Sequence, residues 1–333
     1  MRVVVIGATG NVGTSVVEAL GAEPAVTSVL GLARRRPAWS PPKTEWATAD
    51  VTDADLVPHV RGADAVVHLA WLFQPTHDPL VTWRNNVEGS IRVFAAVAEA
   101  GVPALVCASS VGAYSAGPKD QAVDETWPTH GWPGAAYTRE KAYLERLLDV
   151  LERDRPQLRV VRLRTAFVFK RESASQQRRL FAGPLLPGRL ARPGLLPVAP
   201  DLPGLRFQAL HSTDAADAYR LAILRDVRGA FNIAADPVLD GPRLADVLEA
   251  RKTVHAPVRV VRSVLAAAWH LRLVPASPHL FDAFLHLPLM DVSRARTELG
   301  WSARHTSVEA LGEFLDGLQR GAGMSTPPLT PVR

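Results

Sequence analysis

The apolar positions of this chain come in short blocks that switch between two periods. Val3-Val-Val-Ile6 is an unbroken run of β-branched residues and reads as a buried strand, and residues 14–20 behind it carry apolar side chains at helical spacing. The alternation continues: strand at 26–33, short strand at 44–49, helix at 56–61, strand at 65–70, long helix at 83–100, strand at 104–109, helix at 136–153 and strand at 159–169. Strands that alternate with helices at this spacing predict an α/β fold built on a doubly wound parallel sheet. From Lys170 the pattern breaks, and residues 170–206 are rich in proline, glycine and arginine. Regular structure resumes with a strand at 207–210, a helix at 213–224 and a strand at 230–234. The expected organisation is a sheet domain over 1–169 to which 207–235 returns. A smaller, mostly C-terminal domain forms from 170–206 and 236–324, and a loose, proline-containing tail covers 325–333.

The first strand ends in Gly7-Ala-Thr-Gly10-Asn-Val-Gly13 and runs straight into the first helix. Strand, glycine turn and helix are the context of a dinucleotide-binding loop. Gly7 permits a sharp turn, Gly10 lets backbone approach a pyrophosphate, and Gly13 lets helix and strand pack closely. The helix N-terminus presents free N–H groups to the phosphates. The spacing is GxxGxxG rather than GxGxxG. The second strand ends Ala33-Arg34-Arg35-Arg36. An acid at that strand end would accept the adenosine ribose hydroxyls of NAD, whereas arginine would hold the extra phosphate of NADP. Ala33 followed by Arg34 and Arg35 therefore predicts NADP(H) in preference to NAD(H).

Two further sites carry chemistry. Tyr137-Thr-Arg-Glu-Lys141 places a phenol and an amine at i and i+4, on one side of a helix. A neighbouring ammonium favours the phenolate and lowers the phenol pKa, which fits tyrosine for proton transfer on an alcohol or ketone. Ala108-Ser109-Ser110 ends a central strand, the edge at which open α/β sheets bind ligands. A serine hydroxyl there can stabilise developing charge on a substrate oxygen.

Composition narrows the class. A chain of 333 residues with 47% hydrophobic content can bury a full core. The one cysteine, Cys107, excludes an internal disulfide framework and a cysteine-based zinc cluster, so no metal site is expected. No apolar run reaches the length of a membrane span, and Met1-Arg2 leads directly into the first strand without a signal peptide. The expectation is a cytoplasmic protein with a small-molecule substrate and no membrane partner. The net charge of +5 comes from 38 basic residues, five of them lysines, scattered except for short clusters such as Arg34-Arg35-Arg36 and Arg178-Arg179. No helix carries a continuous basic stripe, so no nucleic-acid partner is expected.

With these residues assembled, the chain resembles the extended short-chain dehydrogenase/reductases, the NAD(P)-dependent epimerase/dehydratase type, over about residues 1–320. The resemblance implies a Rossmann-type domain and an oxidoreductase or epimerase. Gly7, Thr9, Gly10, Asn11, Val12 and Gly13 match the family's cofactor loop, and Asp50 and Val51 the pair at the adenine. His68-Leu69-Ala70 match the segment beside the cofactor, and Asn86-Val-Glu-Gly89 the asparagine helix. Ser110, Tyr137 and Lys141 match the catalytic set, with Ser109 a neighbour that a one-residue shift would exchange for Ser110. By this resemblance Tyr137 moves the oxygen-bound proton, Ser110 orients the substrate oxygen, and Lys141 holds the nicotinamide ribose. Asn86 holds the helix and a relay water, and His68 and His211 are structural. The family's dimers pair through two long helices, here 83–100 and 136–153, so a homodimer is expected.

Departures from the family pattern bear on the substrate. No acid follows Ser110, where sugar dehydratases carry an acid pair, and Phe207 stands where nucleotide-sugar enzymes use an arginine. Arg164-Thr165 and Phe169-Lys170 replace Arg-Pro and Tyr-Gly-Pro. Trp71, Leu72, Phe73, Phe181, Leu185, Leu186, Trp269, Phe281 and Phe284 supply an apolar set for a lid. The leading expectation is hydride transfer between NADP(H) and a secondary alcohol/ketone pair that is not a nucleotide sugar. The alternative is an epimerase, or dehydratase, with transient oxidation of a sugar-like substrate.

Overall fold

A computed structural model describes residues 1–183, 194–195 and 197–331. Seven strands, β1 (Arg2–Ile6), β2 (Ser28–Ala33), β3 (Thr44–Thr48), β4 (Ala65–His68), β5 (Ala104–Ala108), β7 (Arg159–Thr165) and β11 (Gly229–Ile233), form one parallel sheet. Its order is β3-β2-β1-β4-β5-β7-β11. The chain winds outward in one direction from β1 through β3 and in the other from β4 onward, which opens a crevice above the carboxyl ends of β1 and β4. Three short parallel pairs stand outside this sheet: β8 (Phe167–Phe169) with β10 (Ala209–His211), β9 (Val198–Asp201) with β12 (Lys252–His255), and β6 (Ala122–Val123) with β13 (Leu289–Met290).

The helices are α1 (Asn11–Ala22), α2 (Val57–Val60), α3 (Pro79–Trp83), α4 (Gly89–Glu99), α5 (Ala136–Asp154), α6 (Ala174–Gln177), α7 (Ser212–Leu224), α8 (Gly241–Val247), α9 (Val258–His270), α10 (Pro278–His286) and α11 (Ser307–Arg320). Alternate residues of β1 supply two cores, as a pleated strand covered on both sides requires. Val3 and Val5 join Val16, Val17 and Leu20 of α1 and Ala215 and Tyr219 of α7, while Val4 and Ile6 join Val93 and Phe94 of α4 and Leu144 and Leu148 of α5.

The expected α/β architecture is present, with three local differences. The strand expected over 159–169 divides at Ala166, whose N–H donates to the Ile233 carbonyl, and β8 leaves the main sheet to set Phe167 against Phe207 and Phe284. The long helix expected at 83–100 starts earlier, at Pro79, capped by the Asp78 carboxylate, and passes through a π turn at Arg84–Glu88 before α4. The expected loose tail is instead folded: Leu329 is fully buried, and the Thr326 hydroxyl donates to the Thr9 carbonyl at 2.9 Å. Its prolines set a short 3₁₀ turn, Pro327–Leu329, held by the Arg179 guanidinium through the Pro328 and Thr330 carbonyls. Among the described residues no helix is long and apolar enough to cross a membrane.

Candidate active site

The crevice above β1 and β4 is floored by the glycine loop. Gly7 sits at φ +85°, and a Cβ there would lie 2.6 Å from the Ala70 nitrogen, so the loop and Leu69-Ala70 touch backbone to backbone. A Cβ at Gly13 would run into the Gly7 carbonyl. Gly10 differs: the nearest protein atom to its missing Cβ is 3.6 Å away, which leaves room above the loop. Gly10 also begins α1 without a side-chain cap, and no acid lies in the helix's first turn. The first N–H groups of a helix have no intrahelical acceptor, so an uncapped helix start beside this room fits a dinucleotide's pyrophosphate.

Around this cradle the remaining cofactor candidates take distinct places. Thr9 is buried with its carbonyl tied to Thr326, and Val12 packs on the core. The Asn11 amide donates to the Val168 carbonyl at 2.9 Å, while its buried Oδ1 lacks a hydrogen-bond partner among the described residues. The Leu69 N–H donates to the Ile6 carbonyl at 2.8 Å. Asp50 turns its carboxylate onto the Thr52 N–H and hydroxyl, and Val51 is buried against Gly89. Arg34 and Arg35 are exposed past the end of β2, behind a buried Ala33.

The structure brings Ser110 and Tyr137 together and separates the two serines. Ser110 is buried, and its oxygen accepts from the Gly112 N–H at 2.9 Å. A Cβ on Gly112 would lie 2.7 Å from the Tyr137 ring and 3.3 Å from the Ser110 oxygen, so only glycine fits between the phenol and this turn. Ser109 faces the other way and donates to the buried Glu145 carboxylate at 2.5 Å. The alternatives left open by a one-residue shift are thus spatially distinct: Ser110 lies at the phenol, Ser109 behind it.

Lys141 differs from expectation. Its ammonium donates to the Ala108 carbonyl at 2.8 Å and lies 3.5 Å from the centre of the Trp71 ring. Tyr137 packs edge-on to the same indole at 5.6 Å and stacks on Phe73 at 5.0 Å. Burial among these rings pushes the phenol up to about 12, hydrogen bonding with Ser110 pulls it back, and Glu140 pushes it further up. The expected lowering of the phenol by its amine neighbour does not occur in this arrangement. Desolvation dominates, and the ammonium is engaged by a carbonyl and an aromatic ring. Burial also lowers Lys141 to about 8, against the upward pull of Cys107, Glu140 and Glu145.

Sequence reasoning singled out Asn86 but missed its partner Glu140, and it missed that the two hold a loop. Asn86 accepts from the Leu72 N–H at 2.7 Å and donates to the Leu72 carbonyl and to Glu140, pinning the loop that carries Trp71 and Phe73. Glu140 is buried and also accepts from the Thr82 hydroxyl at 2.6 Å. An acid one residue before the lysine of the Tyr-Lys pair, on an inward helix face, was the available signal. Of the apolar lid set, Phe73 and Trp71 pack on Tyr137, Phe181 packs on Phe73, and the Trp269 indole donates to Thr76 on the same loop. Phe281 and Phe284 belong to a separate cluster with Leu202, Leu205 and Leu285, and Leu185 and Leu186 lie outside the described residues. His68 is packed in the core, with Nε2 2.8 Å from the Ser90 hydroxyl and its ring edge-on to Phe94. His211 caps α7.

Comparison with known proteins places the arrangement. The chain is similar to the uncharacterized protein Rv0501 of Mycobacterium tuberculosis, 27% identical over 304 residues that cover 87% of this chain and 74% of that one. It is 28% identical over 320 residues to the uncharacterized protein Rv2047c of the same organism, covering 94% of this chain and 30% of that longer one. Among solved structures, the UDP-glucose 4-epimerase of Thermus thermophilus in complex with NAD shares the fold with a TM-score of 0.71 at 21% identity, over 97% of this chain and 100% of that one. A UDP-glucose-4-epimerase of Stenotrophomonas maltophila with bound NAD and formylated UDP-arabinopyranose gives the same score and identity over 96% and 98%. The model of the NAD dependent epimerase/dehydratase family matches residues 3–234, spanning the glycine loop, both serines and the Tyr137–Lys141 helix, and the chain belongs to that family.

Proposed function

We propose that this enzyme epimerises a sugar-like substrate by transient oxidation at a carbinol carbon, with Tyr137 carrying the oxygen-bound proton. The juxtaposition of Ser110 and Tyr137 at the carboxyl end of the sheet, beside the glycine cradle, carries the reading. A bound nicotinamide supplies the hydride acceptor and donor. Ser110 orients the substrate oxygen, and the phenol takes up and returns the proton. Proton exchange near neutral pH requires the Lys141 ammonium to leave the Trp71 ring and approach the phenol, because opposite charge lowers a phenol pKa that burial has raised. Family membership and the epimerases among the fold neighbours support epimerisation over net reduction. One observation favours the second reading, net reduction of an apolar ketone. Trp71 and Phe73 pack on the phenol with Phe181 behind Phe73, and Phe207 packs on Phe167 and Phe284 where an arginine would grip a diphosphate.

The two readings separate in one assay. An epimerase turns over a sugar panel with no net change in dinucleotide redox state, whereas a reductase consumes reduced dinucleotide in step with product. Tyr137→Phe should lower either rate on the order of 10²–10⁴-fold. An unchanged rate removes Tyr137 from the chemistry. For the dinucleotide itself, Ala33 and the exposed Arg34 and Arg35 support NADP(H) over NAD(H). Tighter binding of NADPH than NADH, reversed by Arg34→Asp, is the expected result. A homodimer through α3–α4 and α5 accounts for the exposed apolar Ile91, Tyr143 and Val150 on those helices, and sedimentation of the full chain reads it.

A further inference from the structure

Among the described residues, helix α9 is where this fold leaves a long apolar helix without cover. Nine of its thirteen residues are Val, Leu, Ala or Trp, yet none of the thirteen is buried. Val260, Val264, Ala267 and Leu271, at spacings of four, three and four, form a single outward stripe, with Val264 65% and Leu271 69% exposed. The opposite side rests on α10 through Val258 and Val261. This stripe lies on the C-terminal domain, on other elements than the α3–α4 and α5 surface assigned above to dimerisation.

Charge identifies the occupant. Residues 251–274 contain Arg251, Lys252, Arg259, Arg262 and Arg272 and no aspartate or glutamate, so this stretch carries a charge of +5, equal to that of the entire chain. Arg262 is paired with Asp282 of α10. The other four are exposed and make no side-chain hydrogen bond or ion pair among the described residues. A second copy on the stripe would set these cations against their own images, which disfavours self-association. Arg259 and Arg272 flank the two ends of the stripe, next to Val260 and Leu271, and an apolar stripe with cations at its ends matches a surface that is apolar within and anionic at its edge.

We infer that α9 is a docking face for an anionic lipid bilayer, lying in the headgroup layer with Val260, Val264 and Leu271 toward the acyl chains. The inference stands apart from the reading of the active site. It revises the sequence expectation of no membrane partner, which rested on the lack of a spanning segment. Docking would also bring the bilayer next to the loop over Tyr137: Trp269 of α9 donates to Thr76 at 2.8 Å and stacks on His77 at 4.1 Å.

The test is co-sedimentation of the full chain with vesicles of phosphatidylglycerol and phosphatidylcholine, or of phosphatidylcholine alone. The protein should pellet with the anionic vesicles, remain in solution with the neutral ones, and be released by high salt. Val264→Asp, and separately Arg259→Glu with Arg272→Glu, should each lower the partition about tenfold or more with an unchanged thermal midpoint. Failure of the wild type to pellet with anionic vesicles, or wild-type partition by Val264→Asp, overturns the inference. A drop in sedimentation coefficient of the lipid-free protein on Val264→Asp also overturns it, since the stripe would then be an interface between copies.

Discussion

Burial acts on single residues in this site with measurable consequences, and His68 shows the sign most cleanly. Its ring lies at the end of β4, near the cofactor crevice, yet burial first and the Lys141 charge second lower its pKa from 6.5 to about 3. The unfolded chain takes up a proton near 6.5 and the folded chain holds out to about 3. The unfolded state therefore binds more protons between those values, and stability falls as pH drops through that window. One such proton is worth about 1.4 kcal/mol per pH unit. His68→Gln should flatten this acid limb, so that the wild-type advantage in urea unfolding shrinks by about 2 kcal/mol between about pH 7 and about pH 5. Parallel curves would show that another group sets the limb. The sequence allowed His68 to be read as packed rather than catalytic because it ends an apolar strand. It could not tell Ser109 from Ser110, because the difference is where each hydroxyl points, toward Glu145 or toward Tyr137. Nor could it show the Trp71 ring against both the phenol and the Lys141 ammonium, since that depends on how Asn86 and Glu140 anchor a loop 14 residues upstream of Asn86.

At the scale of elements, β7 and α5 are joined by charges beside the apolar cluster that holds Val160, Leu144 and Leu148. Glu145, inside α5, accepts from Nε and Nη2 of Arg164 at 3.0 and 2.9 Å, from Ser109, and from Arg162 at 3.1 Å. These contacts hold its carboxyl down at about 2 despite burial. Arg164 extends the link to the Tyr114 hydroxyl, which donates to Asn232 of β11 at 2.6 Å. Burial makes this network costly to break from one side, because the remaining charge stays desolvated. Glu145→Ala should destabilise the fold by about 3–5 kcal/mol in urea, and adding Arg164→Leu should recover part of the loss. Simple addition of the two penalties would mean the groups act separately. The network also marks what periodicity reveals and what it omits. Strands β1, β4 and β5 were legible because runs such as Val3–Ile6 have no other stable place than a sheet covered on both sides. The arginines of β7 read as an interruption of an apolar strand, and their partners lie 17 and 19 residues away on another element. The π turn at Arg84–Glu88 and the break at Ala166 leave no mark in hydrophobic spacing at all.

Across the whole molecule, the last residues return to the first loop. The strap at 323–331 is threaded by Leu329, fully buried, and tied at its start by Thr326 to Thr9, in the middle of the glycine loop. A run with three prolines reads as a loose end because proline withholds backbone donors. Here backbone bonds from Met324 to Leu329 and from Leu329 to Thr326 are joined by the Thr326 hydroxyl and by Arg179, which meets two strap carbonyls at 2.7 and 2.8 Å. The Thr9 carbonyl is buried, so removing its donor leaves an acceptor without water, a cost of about 1–3 kcal/mol. That cost falls on the loop whose backbone forms the dinucleotide cradle. Thr326→Val should therefore lower stability by about 1–3 kcal/mol and weaken dinucleotide binding measured by fluorescence titration. Leu329→Ala, which empties a fully buried position, should lower global stability by about 2–5 kcal/mol and weaken binding as well. If both variants bind as the wild type does, the strap only covers the loop. Loss of affinity in both, at temperatures where each variant is still folded, shows that residues 323–331 set the shape of the cradle.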